Sequence, residues 1–181
     1  EDSPAVQAHV TPLLEDGREM LAESLVGARR VQTIVRALRD LSRLEIGKVE
    51  PSSINSAVTR VVQSLWGDKR DGVQVSFGAN ALAHIAPLQL DQALSHVLDN
   101  ARKAVAGGGR IFIDTGADDE TVWVCVRDEG CGIAPEHLRR VFEPFFTTRG
   151  VGPGVGLGLT AAYGLGERAG GTLAAQSERG V

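Results

Sequence analysis

From Leu14 to Leu41 the apolar residues Leu14, Leu21, Leu25, Ala28, Val31, Val35, Leu38 and Leu41 recur mostly at intervals of three and four. Only a helix places such positions on one face. Thr11-Pro12 supplies an N-cap and then a proline at the first helical position, where its missing N–H costs nothing. Arg29, Arg30, Arg36, Arg39 and Asp40 fill the intervening positions, and the helix is predicted to end near Gly47. Taken to Leu44 it would run for about 33 residues, roughly 50 Å. That is too long to bury its stripe against one small domain, so packing in a bundle with a second chain is expected. A solvated helix crossing its own domain is the alternative.

After the breaker run Gly47 to Ser53 the period changes, so residues 1–47 and 48–181 are read as separate units. Ile54 to Leu65 is predicted as a helix capped by Ser52 or Ser53, and Val73, Val75 and Phe77 alternate as a half-buried strand. Leu88 to Val105 reads as a helix whose inner stripe is Leu90, Leu94, Val97, Leu98 and Ala101, stopping at Gly107-Gly108-Gly109. Arg110–Thr115 and Thr121–Arg127 alternate and are joined by the turn residues Gly116 to Asp119, which predicts an antiparallel hairpin. A helix from about Leu157 to Ala169 and a short strand over Gly171–Gln176 close the chain. Helices on one face of a mixed sheet make an α/β two-layer sandwich.

Composition narrows the partners. With 43% hydrophobic residues the chain can build a real core, and a net charge of −4 gives no basic footprint for a phosphate backbone, so nucleic acid is not expected. No apolar run approaches the roughly 20 residues that cross a bilayer, and the polar start lacks the regions of a signal peptide. The portion is expected to be soluble and cytoplasmic, within a parent that is itself soluble or membrane-anchored. Cys125 and Cys131 have no second pair or histidine cluster beside them for a zinc site and are read as reduced thiols.

Four segments carry chemistry. In Leu94-Ser-His-Val-Leu-Asp-Asn100-Ala-Arg-Lys103, Asn100 and Lys103 share a helix face that can offer an amide oxygen to Mg²⁺ and an ammonium to phosphate. Read alone, the pair is also an ordinary wet face. Asp128-Glu-Gly130-Cys-Gly132-Ile133 follows a strand, so its carboxylate can accept from an exocyclic amine while the glycines let backbone approach a flat ring. A simple turn fits the same residues. Three of the chain's five phenylalanines, Phe142, Phe145 and Phe146, fall together around Pro144, either anchoring a mobile loop or packing in the core. Gly150, Gly152, Gly154, Gly156 and Gly158 run into a helix, exposing backbone N–H groups to an anion. This run neither follows a strand as a dinucleotide fingerprint does nor carries the Gly-Lys-Ser/Thr of a P-loop.

In this order the four segments resemble the N, G1, F and G2 boxes of sensor histidine kinases, members of the Bergerat-fold ATPases; Phe-Glu-Pro-Phe-Phe-Thr-Thr followed by Gly-Val-Gly-Leu-Gly-Leu is typical of the kinases. The resemblance implies ATP and Mg²⁺ as ligands. Asn100 would hold the metal, Lys103 would contact phosphate, and Asp128 would bind the adenine amine between Gly130, Gly132 and Ile133. Thr148 and the stretch Gly154, Val155, Gly156, Leu157, Gly158 and Leu159 would cover the phosphates. Thr172 would join the adenine site through water, and Arg140 or Arg149 would approach the outer phosphates. The front segment Gly27 to Arg43 looks like the second helix of the kinase dimerisation and phosphoacceptor domain, which implies a homodimer.

By the same resemblance, the γ-phosphoryl group passes to a histidine on the phosphoacceptor domain and then to an aspartate on a response-regulator receiver domain. The usual acceptor histidine is followed by an acidic residue, whereas His9 is followed by Val10. The acceptor is therefore expected outside this sequence, which looks like part of a longer protein. His96 stands where such kinases usually carry an earlier Asn, and Val155 replaces a common Thr. In ATP-hydrolysing relatives the earlier position carries a water-activating Glu, so its absence argues against an efficient hydrolase. A serine kinase of the anti-sigma type and a non-catalytic dimerisation or scaffold module are the rival readings.

Overall fold

The computed structural model describes residues 14, 16–28, 31–32, 35, 47–78, 82–148 and 155–178. Every described residue up to 35 is helical, and these residues are labelled α1; the predicted start at Thr11-Pro12 and the stretch from Arg36 to Leu44 lie outside the described residues. Leu14, Leu21, Leu25, Val31 and Val35 are more than half exposed along it.

Strand β1 (Glu50–Ser53) leads directly into α2 (Ile54–Trp66), whose first turn is capped by Ser53 Oγ accepting from the Ser56 N–H at 3.3 Å. Gly67 ends α2 at φ 59, a positive value that glycine adopts without strain. Then come β2 (Val73–Phe77), β3 (Leu82–Ile85), α3 (Pro87–Ala104), β4 (Ile111–Ala117), β5 (Val122–Asp128), a short α4 (Pro135–Leu138) and α5 (Gly158–Arg168).

The three-stranded sheet is mixed, in the order β2-β4-β5, with β2 parallel and β5 antiparallel to β4. Helices cover one face of it. Leu90, Leu94, Leu98 and Ala101 recur on one side of α3 and pack with Ala57, Val58 and Val62 of α2 over Ile111 and Ile113 of β4. Leu98 and Ile113 are fully buried. The alternate residues of β5, Trp123, Cys125 and Arg127, are exposed on the other face, where the Arg110 and Arg127 guanidiniums lie over the Phe112 ring.

Four expectations need correction. The stretch Glu50–Ser53, read as breakers, pairs antiparallel with Leu82–Ile85 as a separate two-stranded sheet, and Ser52 Oγ donates to the Ile85 carbonyl at 2.7 Å. The β4–β5 turn sits two residues later than predicted, because Gly116 remains in the ladder opposite Trp123, whose ring occupies the space of the missing Cβ. Asp118 makes the turn, its Oδ1 accepting from the Glu120 and Thr121 amides at 3.0 and 2.6 Å. Residues 171–176 alternate in exposure as a strand would, yet they form no ladder. Phe77, predicted half-buried, is 48% exposed.

Candidate functional site

Helix α3 is the spine of the site, because the segment after β5 meets one point on it and the start of α5 meets another. Asp128 ends β5 opposite Ile111, and its Oδ1 accepts the Gly130 N–H at 3.0 Å, folding the chain back in a tight turn. Gly130 lies against the last residue of α3: a Cβ there would stand 2.6 Å from Ala104 Cβ. Only glycine lets the carboxylate turn come this close to the helix that carries Asn100 and Lys103. The other side of the turn is clamped, with the Glu129 N–H donating to the Arg110 carbonyl at 2.9 Å and a two-pronged Arg110–Glu129 ion pair at 3.1 and 3.0 Å. Gly132 continues at φ 67, and the Ile133 N–H donates to Ser177 Oγ at 2.8 Å.

The aromatic and glycine segments are stacked backbone on backbone. Phe145, at φ 65, donates its N–H to the Gly156 carbonyl at 3.0 Å, and a Cβ on Gly156, at φ 70, would stand 2.4 Å from the Phe146 carbonyl oxygen. A positive φ on a residue as bulky as phenylalanine costs free energy, so the surrounding contacts must hold it there. Phe142 packs on Tyr163 of α5 with centroids 5.2 Å apart, and buried Leu157 and Val141 close the junction. Gly158 then opens α5 beside α3: a Cβ on it would stand 3.7 Å from His96 Nδ1.

The two contacts on α3 thus fall at His96 and Ala104, about 12 Å apart at 1.5 Å per residue, with Asn100 midway between them. The α5 N-terminus lies at one end of this span and the strand-end carboxylate at the other. Helix N-termini attract anions and a carboxylate accepts from an amine, so the span has the polarity of a nucleotide.

The predicted residues are not equally engaged. Asn100 is half-buried, whereas Lys103 is exposed and its Nζ is 2.5 Å from Asp99 Oδ2. Arg102 donates to Asp99 Oδ1 at 2.7 Å. Burial pushes the Asp99 carboxyl up, but the hydrogen bonds from Lys103 and Arg102 outweigh it and hold the group below its ordinary value. Arg140 stacks over the Phe146 ring at 4.5 Å and pairs with Glu143 at 2.9 Å. Thr148 is exposed, while Val155 and Leu159 are half-buried. Gly154 and Arg149 lie outside the described residues. Thr172 is exposed, and the tie from its segment to the Asp128 turn runs through Ser177, which nothing in the sequence pattern singles out. Thr160 was also missed: in the first turn of α5 its Oγ1 is buried with no hydrogen-bond partner. Buried hydroxyls are rarely left so, and a ligand or water at the α5 N-terminus would satisfy it.

No group of three or more His, Cys, Asp or Glu side chains suited to a metal is present among the described residues. Mg²⁺ does not require one, since it keeps several waters and takes one or two protein oxygens besides the substrate's phosphates. The Asn100 amide fits that donor set.

Fold and site together define a nucleotide-binding α/β ATPase domain. Residues 85–181 match the family described as histidine kinase-, DNA gyrase B-, and HSP90-like ATPase, and the chain belongs to that family. The relatives narrow the branch. The chain is 41% identical over 97 residues to the two-component sensor PprA of Pseudomonas aeruginosa, a match covering 50% of this chain and 10% of that protein. To the sensor kinase CckA of Brucella abortus it is 32% identical over 171 residues, covering 84% of this chain and 18% of that protein. Among solved structures, a mycobacterial sensor histidine kinase, MprB, superposes with TM-score 0.59 at 27% identity, covering 67% of this chain and 80% of that one. The chain therefore carries the ATP-binding domain found in sensor histidine kinases, and it spans only a minor part of the two curated relatives' length. None of the helices formed by described residues is long and apolar enough to cross a membrane.

Proposed function

We propose that this chain is the catalytic portion of a sensor histidine kinase, binding Mg²⁺-ATP between α3 and α5 and presenting the γ-phosphoryl group to a histidine on the phosphoacceptor domain of the same kinase. The observation that carries this reading is the contact of α3 with the Asp128 turn at Ala104 and with the start of α5 at Gly158. Asp128, walled by Gly130, Gly132 and Ile133, accepts from the adenine amine. Asn100 and Lys103 face the phosphates, and the stretch from Thr148 through Gly154 to Leu159 covers them. Thr172 joins the base side. Mg²⁺, when bound with the nucleotide at Asn100, neutralises charge on the phosphate oxygens.

In the transfer the acceptor imidazole nitrogen forms a bond to the γ-phosphorus as the bond to the β–γ bridging oxygen breaks, so ADP leaves with that oxygen. The protein's share is positioning and charge. The product phosphohistidine then passes its phosphoryl group to an aspartate of a response-regulator receiver domain. Residues 1–47 serve as a helical dimerisation segment whose exposed stripe on α1 pairs with a second copy, and residues 48–181 form the catalytic domain. Cytoplasmic placement follows from the need for ATP. None of the chain's four histidines is followed by an acidic residue.

Calorimetric titration with a β,γ-imido analogue of ATP plus Mg²⁺ tests the site. Wild type should release heat with one-to-one stoichiometry, and Asp128→Asn should bind at least tenfold more weakly. Equal binding by both proteins would remove Asp128 from the site. With radiolabelled ATP, this chain alone should accumulate no acid-labile phosphate, and label stable to base but lost in acid would show an acceptor within it.

A further inference from the structure

Lys103 is already held by a carboxylate of its own helix. Its Nζ lies 2.5 Å from Asp99 Oδ2, while Arg102 Nη2 occupies Asp99 Oδ1 at 2.7 Å. Side chains on a helix lean toward its N-terminus, so the Lys103 stem crosses the step from Asp99 to Asn100 and its ammonium lies within reach of both.

We infer that Asp99 is a positioning residue that competes with the nucleotide's phosphates for the Lys103 ammonium and so sets how strongly the site favours a triphosphate; the inference rests on reading Lys103 as a phosphate ligand. The burial of the pair suits an exchange of partners. The Lys103 side chain is 39% exposed and that of Asp99 28%, so the bridge is too wet to be strong and too sheltered to be absent. A polyphosphate carries more charge than one carboxylate and takes the ammonium when it binds. Arg102 stays on Asp99 as that happens, so the carboxylate beside Asn100 keeps one counter-charge next to the incoming anion. Lys103 thus moves between two anions while Arg102 does not.

The test is calorimetry on the whole chain with Mg²⁺ and, in turn, the β,γ-imido ATP analogue, ADP and adenosine. Wild type, Asp99→Asn, Lys103→Gln and the double variant are compared. Removing the competitor should tighten the triphosphate analogue about two- to fivefold, the range expected from releasing a partly exposed pair. ADP should gain less and adenosine nothing, and the gain should vanish in the Lys103→Gln background. Asp99→Ala, which leaves no side-chain amide to hold Lys103, should reproduce the result. Unchanged or weaker analogue binding in both Asp99 variants overturns the inference, as does a gain that survives Lys103→Gln. A Lys103→Gln protein that binds the analogue like wild type overturns instead the underlying reading of Lys103.

Discussion

Gly130 is where the carboxylate turn touches the helix of the site, and Gly130→Ala separates the two by a distance the structure supplies. The added methyl would stand 2.6 Å from Ala104 Cβ, 2.6 Å from Asp128 Oδ1 and 2.9 Å from the Ala104 carbonyl carbon. Carbon atoms in contact settle at about 3.5–4.0 Å, so the turn must retreat from α3 by roughly 1 Å. Neither the methyl of Ala104 nor its backbone can rotate out of the way. Overpacking of this kind costs about 1–3 kcal/mol, which leaves a domain of this size folded. A displacement of about 1 Å between groups that must converge on one ligand costs far more in function, up to about 100-fold. Gly130→Ala should therefore melt cooperatively by circular dichroism, a few degrees below wild type, and bind the ATP analogue at least tenfold more weakly. Gly107→Ala is the matched control, since a Cβ there meets nothing within 4 Å and binding should be unchanged. A folded Gly130→Ala protein with analogue affinity within twofold of wild type would refute the convergence of the turn and α3.

Two further outcomes follow from the packing. Leu98 is fully buried on α3 beneath the site, so Leu98→Ala should cost about 2–5 kcal/mol in chemical denaturation; a loss under 1 kcal/mol would contradict its place in the core. Ser177→Ala removes the acceptor of the Ile133 N–H, and that amide should exchange faster with solvent while the β4 amides keep their protection; unchanged exchange at Ile133 would show that Ser177 does not hold the segment.

Much of this was legible in the residues because the elements that hold the site have strong periods. The stripe from Leu90 to Ala101 and the alternation of Val122, Val124 and Val126 each admit one geometry, and both occur where expected. The order of the four motif segments carries the resemblance from which a shared ligand is expected. What they could not indicate was where they touch, since the meetings at Gly130–Ala104 and Gly158–His96 join residues far apart in the chain. The β1–β3 pair was hidden because Glu50-Pro-Ser-Ser has breaker composition and its pairing is supplied by a distant strand. Conversely, residues 171–176 have the alternation of a strand and lack a ladder partner, and a period records which face is buried, not which backbone is hydrogen-bonded. The Asp99–Lys103 pair has the four-residue spacing of a helical ion pair, a signal that the sequence does carry.

The central claim is that residues distant in sequence surround a single nucleotide. Backbone amide shifts recorded while the β,γ-imido ATP analogue and Mg²⁺ are added to isotope-labelled chain test it most directly. Asn100, Gly130, Gly132, Gly156 and Gly158 should all move along curves that fit one common Kd. Shifts confined to one of these segments, or separate midpoints for the Asp128 turn and the start of α5, would contradict a shared site.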